Sequence, residues 1–425
     1  MSQNSLLGKD KLLQKRSLMK KMIHIIFISV LSLCINYCFA QEVFSRKIIA
    51  GSESDFMIVQ HYKIKGTNYE IGKKIAEIAK QMHMRLDTHS DSTRHKLQAK
   101  YFQENYPIHY ERMKGIADGF GVDYSNYAIN VSEISYSPNR QNCSVVFYPK
   151  DKTFNSHNIL SRNFDMPTGN MQFQKCKGNE LPAYSRPIIF EVYPDKGYPS
   201  LYICASELVG GVYDGINFQG LSIAILGEGI YNDGFQPEPS NEIGLHELQI
   251  MRFLLDNCKN VKEAKEALLY LKQYYHFAPL HYIIADNEGH SFIFEFSRVR
   301  NRSHIIDGAG IQCITNHLIS GQQPGKTPEE SKQRLALLDS LTSSKKRFTL
   351  DEMKEINSRV SPMMPDNHPV FSPSRTLWHS IYDLDSKSLS VKFYLGETKD
   401  GKNNIITRYS NYIELRLEEN KIQHN

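Results

Sequence analysis

One cysteine stands at the head of an apolar run, and two residues of opposite charge follow the next apolar run. Cys143 precedes the run Ser144–Tyr148, and Arg162 and Asp165 come at the end of the second run. The polar segment 149–157 between the runs predicts a β-hairpin that folds the charged pair back towards the cysteine. Because a nearby cation favours the thiolate, Cys143 is a candidate nucleophile. The alternative is that Cys143 is a small buried hydrophobic residue.

The segments around this hairpin predict the elements that must position it. Apolar residues at helical spacing predict helices after Thr67 or Asn68, either of which can cap one, and over 95–119, 245–258, 261–271 and 328–341. Strand-like runs occupy 56–64, 187–193, 200–204, 222–226, 280–285, 291–296, 310–315, 377–384 and 388–394. Consecutive antiparallel hairpins with paired helices between them indicate a layered α+β fold rather than a βαβ nucleotide-binding fold.

Composition bounds the class of protein. The chain has 425 residues, 40% of them hydrophobic and 23% charged, which is typical of one large globular domain or two ordinary ones. The net charge is +5, but residues 1–40 carry six basic residues and one acidic residue, and the remainder is neutral. Neither nucleic acid nor an anionic membrane is therefore an expected partner.

The N-terminus has the pattern of an export signal. Lys20 and Lys21 precede an apolar run over 23–40, and small residues before Gln41 suit a cleavage site. We expect residues 1–40 to be a signal peptide, the mature protein to be periplasmic or secreted, and no stable membrane insertion after cleavage. An uncleaved membrane anchor is the alternative, since the run is near the lower length limit for spanning a bilayer.

The cysteines and histidines do not have the spacing of a disulfide framework or a metal site. Five widely spaced cysteines follow the predicted signal, and an odd number leaves at least one unpaired. No pair of cysteines and no group of histidines has the spacing of a metal-ligand motif. We therefore expect no metal and no cofactor. The cysteines are Cys143, Cys176, Cys204, Cys258 and Cys313.

Five short motifs follow one another along the chain, namely Asn142–Ser144, Ser161–Asp165, Asp214–Leu221, Leu280–Gly289 and Thr315–His317. In this order they resemble the N-terminal-nucleophile hydrolases, and most closely the penicillin acyltransferase branch. That branch is related to choloylglycine hydrolases, N-acylethanolamine acid amidase and acid ceramidase. The resemblance extends from about Phe56 to Tyr394, and 66–72 and 113–122 are similar to the pro-segment of the branch.

The resemblance implies a four-layer αββα sandwich of antiparallel sheets that is made as an inactive precursor. The precursor cuts its own backbone before the nucleophile, here between Asn142 and Cys143. A mostly helical pro-segment would then be 41–142 and the catalytic domain 143–425. The new α-amine of Cys143 has an ordinary pKa near 7.7–8.0 and can act as the base for its own thiol.

The same resemblance implies site roles, each with a structural alternative. Arg162 favours the thiolate and orients substrate, and Asp165 binds the α-amine; the alternative is a structural ion pair. Asn316 helps to form the oxyanion hole, or else caps a turn at a strand end. Asn217 is a candidate for substrate binding, although a structural role in its turn is the stronger reading.

Some positions depart from the pattern of choloylglycine hydrolases, so bile-salt hydrolysis is not supported. Their second oxyanion asparagine is matched here by Gly227. Their late arginine is matched loosely by Arg375 as a substrate-binding residue, with Lys326 and Arg334 as rival candidates. The wall of the pocket is expected to be aromatic, with contributions from Tyr213, Phe218, Tyr231 and Phe235.

The sequence therefore predicts an exported, self-processing cysteine amidase that acts on a small-molecule N-acyl amide. An acyltransferase that passes the acyl group to an amine remains open, because the two activities differ only in what reaches the acyl-enzyme. A non-catalytic exported binding protein is the alternative from another class. The sequence does not identify the acyl group, the amine or the oligomeric state.

Overall fold

The computed structural model describes most of the chain from Val43 onwards. Of the two compact units, 1–43 and 44–425, the second contains nearly all of the described residues. The predicted signal peptide, residues 1–40, and the two residues before Cys143 lie outside the described residues. No described helix is long and apolar enough to cross a bilayer. The described residues are 43–88, 91–132, 143–170, 172, 174–205, 208, 211–227, 242–274, 280–297, 302–320, 329–362, 366–402 and 404–419.

The larger sheet has nine strands, in the order β1-β2-β5-β6-β7-β8-β11-β12-β13. The pairs from β5 to β13 are antiparallel, whereas β2 pairs with β5 in parallel. These strands are β1 Val43–Gly51, β2 Ile58–Gly66, β5 Ile188–Pro194, β6 Ser200–Cys204, β7 Asp214–Asn217, β8 Ser222–Gly227, β11 Leu280–Ala285, β12 Ser291–Ser297 and β13 Arg302–Asp307. A separate two-stranded pair joins β9 Leu245–His246 and β10 Gln273–Tyr274.

The smaller sheet has seven strands, in the order β14-β3-β4-β15-β16-β17, with β18 also paired to β16. The predicted hairpin around Cys143 is confirmed as β3 and β4, which pair in antiparallel register with Val145 opposite Arg162. The strands are β3 Ser144–Tyr148, β4 Ile159–Pro167, β14 Gln312–Ile314, β15 Ser374–Asp383, β16 Ser388–Lys399, β17 Ile405–Tyr409 and β18 Ile413–Arg416.

Seven α-helices lie within the described residues. Thr67 caps the first through a capping box with Glu70, as a Thr-x-x-Glu sequence favours. The helical region predicted over 95–119 is two helices, because Pro107 lacks an N–H and begins a new one. The helices are α1 Asn68–Gln81, α2 Ser92–Asn105, α3 Pro107–Phe120, α4 Glu247–Asn257, α5 Val261–Tyr270, α6 Glu329–Ser343 and α7 Leu350–Arg359.

Alternate residues of β3 show how the layers stack. Val145 and Phe147 belong to the main core, which also contains residues of the nine-stranded sheet. Val146 and Tyr148 belong to a second core beneath α6 and α7. Helices α4 and α5 pack on strands of the nine-stranded sheet. The order is therefore helices, sheet, sheet, helices, which confirms the predicted αββα sandwich.

The segment before Cys143 is built into the fold. It contributes β1 and β2 to the nine-stranded sheet, together with α1, α2 and α3. On α3, the buried Arg112 forms an ion pair with Asp256 of α4, in which Nη2 lies 3.0 Å from Oδ1. Arg252 and Tyr106 bond the same carboxylate at 2.9 and 2.6 Å. The segment therefore contributes both to a sheet and to a buried polar network.

Candidate active site

Cys143 directly precedes β3 and is completely buried. Its thiol is free, and its Sγ lies 3.8 Å from Nη2 of Arg162. Burial raises the pKa of the thiol above its ordinary value, whereas the Arg162 guanidinium lowers it. The predicted effect of the arginine is therefore present in the uncut chain, but burial outweighs it and the protonated thiol is favoured.

Arg162 lies in the middle of β4 rather than at its end, and its side chain crosses to the nine-stranded sheet. Nη1 donates to Oδ2 of Asp214 at 2.8 Å, and Nη2 donates to the carbonyl oxygen of Ile225 at 2.7 Å. The guanidinium also stacks over the ring of Phe164, with 4.9 Å to its centroid. Both sides of the Arg162–Asp214 ion pair are fully buried. This pair fixes the cation beside the thiol.

Asp165 lies on the other face of β4, because residues three apart on a strand point to opposite faces. Oδ1 accepts the hydroxyl of Thr376 at 2.6 Å, and Oδ2 is buried without a hydrogen-bond partner. Burial raises the pKa of Asp165 to about 7, against the lowering effects of Thr376 and of the arginines Arg334 and Arg162. Asp165 and Arg162 do not form the ion pair that was the structural alternative for them.

Asn316 follows β14 and is buried between two partners. Its Nδ2 donates to the carbonyl oxygen of Gly227 at 2.6 Å, and its Oδ1 accepts Nη2 of Arg334 at 3.0 Å. Gly227, the residue that the sequence analysis matched to the second oxyanion asparagine of choloylglycine hydrolases, is thus in direct contact with Asn316. The side chain of Asn316 is held by both its oxygen and its nitrogen.

Arg334 on α6 joins these residues to the cysteine. Nη1 donates to the carbonyl oxygen of Cys143 at 2.8 Å, while Nη2 holds Asn316. Nε bonds Glu330 one turn earlier at 3.0 Å, and the Glu330 side chain is 58% exposed. A planar guanidinium with several fixed donors can bridge in this way, which a lysine cannot do.

Of the two arginines, Arg334 contacts Cys143 and Arg375 contacts other residues. Nε of Arg375 forms an ion pair with Glu397 on the neighbouring strand at 2.5 Å, and Nη1 donates to the carbonyl oxygen of Ser374 at 2.8 Å. No described contact joins Arg375 to Cys143. The substrate-binding role of Arg375 stays a prediction, and the rival Lys326 lies outside the described residues.

Asn217 has the structural role. Its Nδ2 donates to the carbonyl oxygens of Leu255 and Cys258 at 3.1 and 2.7 Å, at the end of α4. Its Oδ1 accepts the backbone N–H groups of Gln219 and Leu221. These bonds attach the β7–β8 turn to the helix, and they leave the amide engaged within the protein, against the substrate-binding prediction.

Asp214 was missed by the sequence analysis, which assigned its motif to a turn. Besides Arg162, its Oδ2 accepts Nε1 of Trp378 at 3.4 Å and Oγ of Ser380 at 2.8 Å. A carboxylate at the first position of a buried strand was the available signal, since a buried charge requires a partner. Asp214 is therefore the residue that holds Arg162 in place.

Two of the four predicted aromatic wall residues can be placed. Tyr213 is buried beside Phe164 and Trp378, with ring centroids 5.1 and 6.2 Å away. Phe218 instead lies in the β7–β8 turn. Tyr231 and Phe235 lie outside the described residues.

One group of possible metal ligands occurs in the described part of the chain, at Asp286, Glu288 and His290. Oδ1 of Asp286 already accepts the backbone N–H groups of the other two residues at 3.1 and 3.0 Å. Both of those side chains are exposed. The group is therefore explained as a hydrogen-bonded turn between β11 and β12.

The site thus presents a thiol beside a cation, a buried carboxylate with one unpartnered oxygen, and an oriented amide. A thiol can serve as the nucleophile in attack on an acyl carbon, and an amide N–H can serve as the donor to the developing oxyanion.

Distant likenesses are found among solved structures. A mutant conjugated bile acid hydrolase from Clostridium perfringens has a TM-score of 0.41 and 17% identity, covering 64% of this chain and 97% of that one. Penicillin V acylase from Agrobacterium tumefaciens has a TM-score of 0.40 and 16% identity, covering 59% and 83%. No curated protein matches the chain significantly.

The sequence profile of one family matches residues 150–400, which is more than half of the chain. The match contains all the site residues described above except Cys143. The chain therefore belongs to the acyl-coenzyme A:6-aminopenicillanic acid acyl-transferase family, the penicillin acyltransferase branch of the N-terminal-nucleophile hydrolases that the sequence motifs indicated.

Proposed function

We propose that the protein is an exported, self-processing cysteine hydrolase that cleaves a linear amide bond of a small N-acyl substrate. One observation carries this proposal. Cys143 is held at its thiol by Arg162 and at its carbonyl oxygen by Arg334, and Arg334 also holds Asn316. The thiol and the carbonyl oxygen of Cys143 thus each contact an arginine, and both arginines suit acyl transfer.

The processing step begins with attack of the Cys143 thiol on the carbonyl carbon of Asn142. The C–N bond breaks as the C–S bond forms, and the thiol proton ends on the new α-amine. Water then hydrolyses the thioester and releases residue 142 with a free carboxyl group. Arg334 supports this step by fixing the carbonyl group of Cys143.

Processing also supplies the partner that Asp165 lacks. Its Oδ2 is buried without a hydrogen bond, although the thiol of Cys143 lies close enough to interact with this carboxyl group. An α-ammonium at Cys143 would donate to that oxygen. Because a nearby cation favours the carboxylate, the new terminus would lower the pKa of Asp165 from about 7.

In turnover, the α-amine takes the thiol proton and the sulfur attacks the substrate carbonyl. Asn316 donates to the oxyanion through its amide, whose orientation Arg334 and Gly227 fix. The α-ammonium then protonates the leaving amine, which leaves a thioester on Cys143. Water, deprotonated by the same amine, releases the acid and restores the thiol.

Intact mass measurement of the purified protein beside Cys143→Ala tests the proposal. We expect wild-type protein to give fragments 41–142 and 143–425, with Cys143 as the new N-terminus, and the variant to stay uncut. A single uncut wild-type chain without thiol-dependent amidase activity would refute the proposal and favour the non-catalytic binding protein. Recovery of a mature chain that begins at Gln41 outside the cytoplasm tests the export.

An acyltransferase is the second candidate, and the name of the matched family favours it. The two activities share the thioester on Cys143 and differ in the acceptor. Adding a primary amine to the processed enzyme would divert the acyl group into a new amide if transfer predominates. If the free acid remains the main product at high amine concentration, the enzyme is a hydrolase.

A further inference from the structure

A pocket of about 270 Å³ lies on the helix side of the seven-stranded sheet, across β4 from the Arg162–Asp214 pair. Its base includes Asn163, whose Nδ2 donates to the carbonyl oxygen of Asn357 on α7 at 2.8 Å. Ser358 and Ile405 at its edge are exposed, so the pocket opens to solvent. None of the catalytic steps above uses this pocket.

Two lysines meet in this pocket around one aromatic ring. Nζ of Lys354 lies 4.6 Å from the ring centroid of Tyr412, and Nζ of Lys392 lies 5.5 Å from the same centroid. Lys392 also stands 4.8 Å from the ring centroid of Tyr409. Both lysines line the pocket, and the Tyr412 ring lies near both ammonium groups.

The positive charge of Lys392 has no carboxylate partner among the described residues. Lys354 pairs with the exposed Asp351 at 2.9 Å, whereas no described carboxylate lies within 4.0 Å of Lys392. Burial, and then the nearby Lys354, lower the pKa of Lys392. A half-buried ammonium without a counter-ion is unfavourable, and an anion in the pocket would relieve that cost.

The rest of the lining is polar, and no described lining residue is an aspartate or a glutamate. The hydroxyl groups of Thr407 and Tyr409 line the pocket, whereas those of Ser358 and Ser361 already donate to the carbonyl oxygens of Glu355 and Asn357. An anion with several acceptor oxygens matches two ammonium groups and a set of hydroxyls better than a single-oxygen ligand does. Lysine acts as a point charge towards such groups and is a common phosphate ligand.

We propose that this pocket binds the phosphate group of a small molecule, between Lys354 and Lys392. Thr376 connects it to the catalytic strand, because this residue lines the pocket and donates its hydroxyl to Asp165. The ligand would therefore lie behind the strand that carries the catalytic groups, on the face opposite to the thiol–arginine contact. Binding does not depend on cleavage or on the thiol.

Isothermal titration with inorganic phosphate tests the proposal on the full chain carrying Cys143→Ala, so that loss of processing cannot affect the result. We expect saturable binding that weakens at least about tenfold in Lys392→Met, which keeps the stem and removes the charge. Lys354→Met should weaken binding too. The matched control is Lys262→Met, on the exposed side of α5, which should leave it unchanged.

Three results would overturn the proposal. They are the absence of saturable phosphate binding, equal affinity in both pocket variants and the parent, and acetate binding as tight as phosphate. Circular dichroism confirms that each variant is folded. If Lys392→Met does not fold, Lys354→Met and titration of the parent protein still decide between the outcomes.

Discussion

Two arginines reach Cys143 from opposite sides, and their surroundings differ. Arg162 is fully buried between the sheets and is neutralised by the fully buried Asp214. Arg334 comes from a helix at the edge of the site, and its acidic partner Glu330 is 58% exposed. One arginine contacts the thiol and the other the carbonyl oxygen of the same residue.

The difference shows that the two arginines have different effects, one on the ionisation of the thiol and one on the positions of neighbouring groups. Arg162 has a stronger influence on the pKa of the thiol than Arg334, whereas Arg334 has the stronger influence on Asp165. Arg334 also links the cysteine to Asn316. The inter-sheet arginine thus mainly affects the ionisation of the Cys143 thiol, and the helix arginine fixes the Cys143 carbonyl group and the Asn316 side chain.

The largest expected effect comes from breaking the buried pair. In the uncut Cys143→Ala background, Asp214→Ala should lower the free energy of unfolding by about 3–5 kcal/mol, because it leaves a buried guanidinium without a counter-ion. The matched change on the exposed side, Glu330→Ala, should cost less than about 1 kcal/mol. Urea denaturation measures both. Equal losses would contradict the contrast between the two arginines.

The next largest expected effect is the contribution of Asp165 to stability, which depends on pH. Its folded pKa of about 7 lies above the unfolded value near 3.9, so the native state holds its proton between these values and the unfolded state does not. Its contribution to stability is therefore present at low pH and is lost as the pH rises through 7, by up to about 4 kcal/mol.

Asp165→Asn in the same uncut background isolates this contribution, since the histidines titrate alike in both proteins and cancel. We expect the variant to gain stability relative to its parent as the pH rises from 4 to 8, measured by urea denaturation. A difference that stays constant with pH would show that the carboxyl group does not change its protonation in the native state over this range.

The smallest expected effect comes from a substitution that tests how Arg334 positions Asn316, without a large change in the free energy of unfolding. Arg334→Met should lower kcat of processed enzyme by about 10- to 100-fold, because Asn316 loses the partner that orients its amide towards the oxyanion. KM should change less than kcat. Glu330→Gln is the matched control and should change kcat less than about threefold. If Arg334→Met lowers only the melting temperature, the arginine is merely structural.

The hairpin and the layers could be predicted from sequence because they depend on local patterns. The run from Cys143 alternates between two cores, and the Thr67–Glu70 capping box is a short-range signal. The site was harder, because its partners are far apart in sequence. Asp214 was missed since its role depends on a strand in the other sheet, and Arg334 stayed one of three candidates until α6 was placed.

Some features that the sequence analysis placed wrongly or did not predict can be explained physically. Arg162 and Asp165 were expected to close a strand together, but β4 continues to Pro167, so the two side chains point to opposite faces. Helix α7 was not predicted, although Thr349 and Glu352 form a capping box. The polar sequence of that helix contains few apolar residues at helical spacing, which made its pattern weak.

The placement of β2 and Arg112 has a consequence for the cut protein. β2 pairs along seven residues with β5, and Arg112 is buried against Asp256, so each contact joins residues on the two sides of Cys143. In an uncut chain these contacts are intramolecular. If the proposed cut before Cys143 is made, unfolding separates two chains, and mass action makes the melting temperature rise with protein concentration.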